Sequence, residues 1–374
     1  MASISTQRAR FSHLNSQLPQ FAFGPFLQQN PRHRLHLRYS SGKSHSRPST
    51  SAQPKDKRVP STSSTSSTPL TNDVNPPPST RPADLELPEP ISPSAPLNDK
   101  VTRWIAYGRA FLSFYKTGLK NVYHNYRTSL PIRRSLGIPS YLPSPPPSKF
   151  FLKSGGRSDK KHEAIETRTS RSTFQLLHRA SHDVRRMIPF TLILIICGEF
   201  TPLLILAFGN SVTPYTCRIP KQIAKESAQR ADRKRAALSA YSAAMKGSVS
   251  IPEAGSNEEL ELLSGFASPS FVEGATAEDI LRACAVFGLV KTHTRSTVLV
   301  NPLYRPRLRK YAEYLALDDK LIRKGGGVSA MESAEVRVAV EERGGQGLPQ
   351  GTEGWEAERL ERRWLEMWLE KSKY

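Results

Sequence analysis

MIPFTLILIICGEFTPLLILAF, residues 187–208, is the stretch on which the reading of this chain turns. At 1.5 Å per residue its 22 residues reach about 33 Å as a helix, enough for a hydrocarbon core of about 30 Å. Arg179, Arg185 and Arg186 stop the apolar run on one side, and Arg218 and Lys221 follow on the other. The run therefore predicts a single transmembrane helix. Glu199 sits near its middle. A carboxylate there has to be protonated, paired or in contact with water. Pro202 removes a backbone donor, and its ring opposes the carbonyl of Gly198. Two readings of Glu199 and Pro202 stay open. They mark an intramembrane proton or ion site, or Glu199 is neutral and hydrogen-bonds carbonyls freed by the proline.

Downstream, residues 209–272 read as a helical connector. Gly209 to Pro214 makes a turn, and the Ala-rich, basic run from Ile223 to Met245 is a helix closed by Gly247. Residues 273–374 read as an all-helical soluble domain. Thr276 followed by Glu278 and Asp279 is an N-cap, Ile280, Leu281, Cys284 and Phe287 share a face, and Gly288 ends that helix. Further helices are predicted from Arg305 to Leu317, over Asp318 to Ile322 as a new helix or a continuation up to the break at Gly325-Gly326-Gly327, over Glu332 to Glu342, and over Trp355 to Leu369. The last carries the stripe Leu360, Trp364, Leu365, Trp368 and Leu369. The chain is thus mainly α.

Upstream lies an N-terminal third expected to be disordered. Residues 1–55 hold eight Lys/Arg and no acid, are rich in Ser and Thr, and lack a secretory apolar core. That is the composition of a mitochondrial transit peptide. Residues 56–98 are Ser/Thr/Pro-rich and read as a disordered linker. Residues 99–186 form a basic segment before the membrane. In it Trp104, Ile105, Phe111, Leu112, Phe114, Tyr115 and Leu119 recur at helical spacing, as in a helix lying on a membrane or packing on the body.

The net charge of the whole chain is +21, but it is unevenly placed. Residues 1–186 carry 29 basic and 10 acidic residues, net +19; residues 187–272 carry 8 and 7; residues 273–374 carry 17 and 16. Bulk attraction to DNA is therefore not expected of the folded part. Three widely spaced cysteines exclude a disulfide framework and a thiolate zinc site. No nucleophile elbow, P-loop or calcium loop is present, so neither an enzyme nor a cofactor is expected.

Several of these runs resemble the LETM family of mitochondrial inner-membrane proteins. They are Arg171 to Arg179, Asp183 to Phe190, the span with Glu199 and Pro202, Tyr115 to Lys120, Asp318 to Ile322, Glu335-Val336, Glu342-Arg343-Gly344 and Leu360 with Trp364-Leu365. The match covers roughly 100–374, without the coiled coil and EF-hand of that family. The resemblance implies a single-pass inner-membrane protein with its C-terminal domain in the matrix and a ribosome-binding domain over 273–374. It implies binding to the mitochondrial ribosome in support of membrane-protein biogenesis and cation homeostasis. Arg305, Arg307, Arg309, Lys310, Arg323 and Lys324 are the candidate contacts to ribosomal phosphate. The alternative is proton-coupled K⁺ or Ca²⁺ exchange through Glu199. Inner-membrane lipid and a second copy of the chain are the other expected partners.

Overall fold

Nine α-helices joined by short 3₁₀ and π turns make up the described residues, with no strand among them. A computed structural model describes residues 73–90, 92, 94, 96–141, 143–146, 169–197, 213–245, 251–347 and 354–372. All belong to one compact unit, Thr65–Tyr374; the other unit, Met1–Ser64, lies outside the described residues.

Helix α1 is Leu97–Ser135, with Asp99 in its first turn and Arg133 and Arg134 in its last, as the helix dipole favours. Gly137, at φ +67°, turns the chain away. Helix α2, Arg171–Cys197, starts where the Ser170 hydroxyl accepts the Thr173 N–H. Helix α3, Pro220–Ala244, has proline at its first position. Helices α4 (Asn257–Phe266), α5 (Pro269–Gly274) and α6 (Ala277–Val286) are capped by Ser256, Ser268 and Thr276. Helix α7 is Arg305–Lys324, α8 is Ser333–Glu342 and α9 is Trp355–Lys371.

One apolar core runs through α3, α4, α6, α7, α8 and α9. Leu260, Leu263, Ile280, Leu308, Ile322, Val336 and Leu365 are fully buried in it. Trp364 and Trp368 stack one helical turn apart at 5.8 Å and fill its base. Of the two readings of the Asp318 run, the structure has the continuation: α7 runs unbroken through it to Lys324 and ends at the glycines. Helices α4 and α5 were not expected from the sequence, although Ser256 with Glu259 three residues on is a helix-start signature. The expected linker contributes to the body. Val74 is fully buried, and Asn75 donates to the Ala330 carbonyl at 2.9 Å and accepts the Glu332 N–H.

The transmembrane helix expected over 187–208 needs correction. Among the described residues no helix is long and apolar enough to cross a membrane. Helix α2 begins sixteen residues earlier, at Arg171, and its first half is packed inside the protein body. Only residues 187–197 of the apolar run fall within it. Glu199 and Pro202 lie outside the described residues.

Candidate functional site

The first half of α2 is held by buried charge. The bidentate Arg179 guanidinium donates to both oxygens of Glu335 on α8, each at 2.8 Å. Arg171 donates to Asp318 at 2.9 Å and to the Val74 carbonyl at 3.0 Å. Gln175 donates to Asp318 and to the Tyr314 hydroxyl. From α8's end, Arg343 reaches back to Asp318 at 2.8 Å and to Asp319 at 2.9 Å, while the Trp368 indole N–H donates to Asp319 at 3.0 Å. Arg171, Asp318, Glu335 and Arg343 are completely excluded from water. Four helices, α2, α7, α8 and α9, meet at this cluster.

Its electrostatics follow from the pairing. Burial alone raises a carboxyl, yet Arg171 and Arg343 hold Asp318 far below the ordinary range. Burial works the same way on Glu335, and Arg179, Arg171 and Arg81 outweigh it. Arg179 and Arg343 keep their protons, because their carboxylate partners overcome desolvation. Glu342 is pushed up, first by burial and then by the charge of Asp318, and it accepts the Tyr314 hydroxyl at 2.9 Å. His178 stacks on Tyr314 at 4.5 Å and is lowered to about 4 by burial, then by His182 and Arg179. It is neutral at physiological pH.

The second half of α2 is the reverse. Ile188 and Leu192 are exposed, and Ile195 and Ile196 are 75% and 79% exposed. Beside it, α1 is buried only from Phe114 onward, along Phe114, Gly118, Val122, Asn125, Ser129 and Arg133. Its first seventeen residues, 97–113, contain no buried side chain. They carry Leu97, Val101, Trp104 (78% exposed), Ile105 and Leu112 in the open.

The two helices are antiparallel. Arg133, near the end of α1, donates to the Leu177 carbonyl near the start of α2. Further along, Gly118 lies against Thr216 and Cys217, and the neighbouring Tyr215 N–H is held by Asp183 of α2. A Cβ on Gly118 would sit 2.8 Å from the Cys217 sulfur and 2.9 Å from the Thr216 carbonyl oxygen, so glycine sets this close approach. The exposed start of α1 and the exposed end of α2 therefore project from the same end of the pair. Along α1 the exposed apolar residues recur at 97, 101, 104, 105 and 112. Arg109, Lys116 and Lys120 border that stripe.

The basic residues singled out by sequence divide. Arg305 is committed to the carbonyls of Val272, Glu273 and Ala275, and Arg323 to the Leu369 carbonyl and the Ser372 hydroxyl. Arg307, Arg309, Lys310 and Lys324 are exposed. Burial pushes the Cys217 and Cys284 thiols up to about 12, so neither is a ready nucleophile. Among the described residues no group of three or more His, Cys, Asp or Glu is placed to hold a metal ion.

Residues 98–325 match the PNT1 pentamidine resistance factor domain, which spans α1 to the end of α7. The chain belongs to the PNT1 family. No curated protein and no solved structure matches it. PNT1 is a different family from LETM, so the LETM resemblance is overturned, and the ribosome-binding and cation-exchange roles that came with it fall too. Six of the residues behind the resemblance share one physical setting. Arg171, Arg179, Asp318, Glu335, Glu342 and Arg343 are all in or beside the buried charge cluster, a packing device that does not by itself identify a function. PNT1 is a mitochondrial family, in agreement with the mitochondrial location read from residues 1–55.

Proposed function

We propose that this chain is a non-catalytic helical adaptor attached to the mitochondrial inner membrane, with its helical body on the matrix side. The apolar end of α2 enters the lipid, and the Trp104 stripe of α1 lies along the surface beside it. The observation that carries this reading is the shared projection of two unburied apolar helix ends from a body whose other helices are closed around one core. An amphipathic helix with Trp and Leu on one face and Lys/Arg at its border suits the headgroup boundary. Import through residues 1–55 would deliver the body to the matrix side. The family description names resistance to a drug, not a reaction, and selects no chemistry for this chain.

Alkaline carbonate extraction of mitochondria carrying the full chain tests the proposal. Wild type is expected in the membrane pellet. The double variant Ile195→Glu with Ile196→Glu is expected to shift to the supernatant while its circular dichroism stays that of wild type. Wild-type protein released by a salt wash alone would overturn the reading.

A further inference from the structure

Residues 291–312 contain Lys291, Arg295, Arg305, Arg307, Arg309 and Lys310 and no acid. In the middle of this stretch the chain makes a 3₁₀ turn, Thr297–Leu299, and then a π-helical turn, Val300–Tyr304, before α7 begins. π turns are frequent at functional positions. Val300 and Tyr304 are buried and root the turn in the core. Arg305 clamps it further, through three carbonyls of residues 272–275. Beside these anchors Val298 is 80% exposed, Leu299 45% and Leu303 50%. Leu303, Arg307 and Lys310 follow at spacings of four and three, on one face. Glu273 lies 4.0 Å from Arg309, and Glu313 follows the cluster one helical turn on.

A rigidly held turn has no reason of its own to present three aliphatic side chains to water amid a run of cations. We infer that this turn is a second membrane contact, a wedge of Val298, Leu299 and Leu303 that enters the headgroup boundary of an anionic bilayer while Lys291, Arg295, Arg307 and Lys310 meet lipid phosphate. Apolar insertion and attraction to anionic lipid act together at such surfaces. The opposite end of α7, at Asp318, lies in the charge cluster that holds α2, about 20 Å along the helix from Arg305. Engagement of the wedge would fix how the body sits on the membrane. The inference rests on the proposed membrane attachment.

The test is flotation of the purified full chain with two kinds of vesicle, phosphatidylcholine alone and phosphatidylcholine with cardiolipin. The variants are Val298→Ser with Leu303→Ser, Arg307→Gln with Lys310→Gln, and the Ile195→Glu, Ile196→Glu pair. Wild type is expected to bind both vesicles, and the cardiolipin vesicles more tightly. Each removed cation is expected to weaken binding to the cardiolipin vesicles about fivefold and to leave phosphatidylcholine binding unchanged. The serine pair is expected to reduce the cardiolipin preference similarly. The α2 pair is expected to lose binding to phosphatidylcholine. Wedge variants that match wild type on both vesicles would overturn the second contact and leave the α2 reading standing. Wild type that binds neither vesicle would overturn both. Loss of a crosslinked protein neighbour in the wedge variants, with vesicle binding intact, would make the turn a protein contact and overturn the lipid assignment.

Discussion

The two halves of α2 invert the ordinary relation between polarity and burial. Its first half contains Arg171, Gln175, Arg179 and Asp183, and these are among the most buried side chains of the protein. Its last eleven residues carry no charge, and among them Phe190 is buried while Ile188, Leu192, Ile195 and Ile196 are exposed. The difference lies in the partners available. The charged half faces Asp318 and Glu335, which compensate desolvation in a closed cluster. The apolar half extends beyond the body, with α1 alongside. Hydropathy reports the solvent a segment prefers; which segment the body surrounds is decided by what stands opposite it.

The charged half gives the largest expected effect. Arg343→Met leaves Asp318 and Asp319 buried without one of their cations and is expected to cost about 3–5 kcal/mol in urea unfolding. A loss below about 1 kcal/mol would show that the cluster does not hold the four helices together, and the contrast between the halves would collapse. Arg133 sits differently. It is a buried guanidinium bonded to the carbonyls of Pro139, Ser144 and Leu177, and burial followed by the nearby Arg185 lowers its proton affinity.

Next in size is a pH dependence. Unfolded, His178 takes its proton near 6.5; folded, only near 4. The unfolded chain binds that proton first, so the stability tied to neutral His178 is full above pH 6.5. It is lost progressively down to about pH 4, by about 3 kcal/mol in all. Asp318 and Glu335, both lowered, act with the same sign at lower pH: their contribution is present above the unfolded carboxyl range and lost as acid protonates them. Glu342, raised, acts oppositely and loses its contribution as pH rises through its folded value. Comparing His178→Phe with wild type between pH 6.5 and 4.5 isolates the histidine. The variant is expected to be flatter there, and parallel curves would remove His178 from the balance.

How far these features were legible follows from what each depends on. Caps and local periodicity are short-range. Thr276, the glycines after Lys324 and the Trp364/Trp368 stripe accordingly marked their helices at sequence level. The burial of Arg171 and Arg343 depends on partners 147 and 25 residues away, and no local pattern carries that pairing. The same charged residues, seen as short runs, supported the LETM resemblance that the PNT1 match overturns. The apolar run at 187–208 reads as a complete span because its 22 residues are long enough to cross a bilayer and basic residues bound it on both sides. Of these, Arg179 is buried against Glu335, whereas Arg185 is exposed on the same helix. The Trp104 stripe was visible from periodicity, and only the placement of α1 shows that its first seventeen residues are unburied.

A smaller effect is expected where the two long helices meet. Gly118→Ala places a methyl group into Cys217 and Thr216, and the backbone carbonyl there is not a flexible neighbour. The expected loss is about 1–3 kcal/mol in thermal unfolding. Because the close approach sets how α1 lies against α2, the variant is also expected to change the emission of the exposed Trp104. An unchanged melting temperature would mean that the helices separate freely here, and that their projecting ends are not held as one unit.

The smallest stability effect is expected at the end of α2. Ile195 and Ile196 touch little of the body, so replacing both by Glu removes almost no buried apolar area and is expected to change unfolding by less than about 0.5 kcal/mol. Two aliphatic residues in a helix of ordinary composition would, if packed in a core, cost several kcal/mol on such a change. The measurement thus separates two explanations for an apolar helix end. If stability falls by kilocalories, the end is covered by protein, and the inversion along α2 is only apparent. If stability holds while the protein leaves the membrane pellet, the apolar half of α2 has lipid as its partner, as the charged half has Asp318 and Glu335.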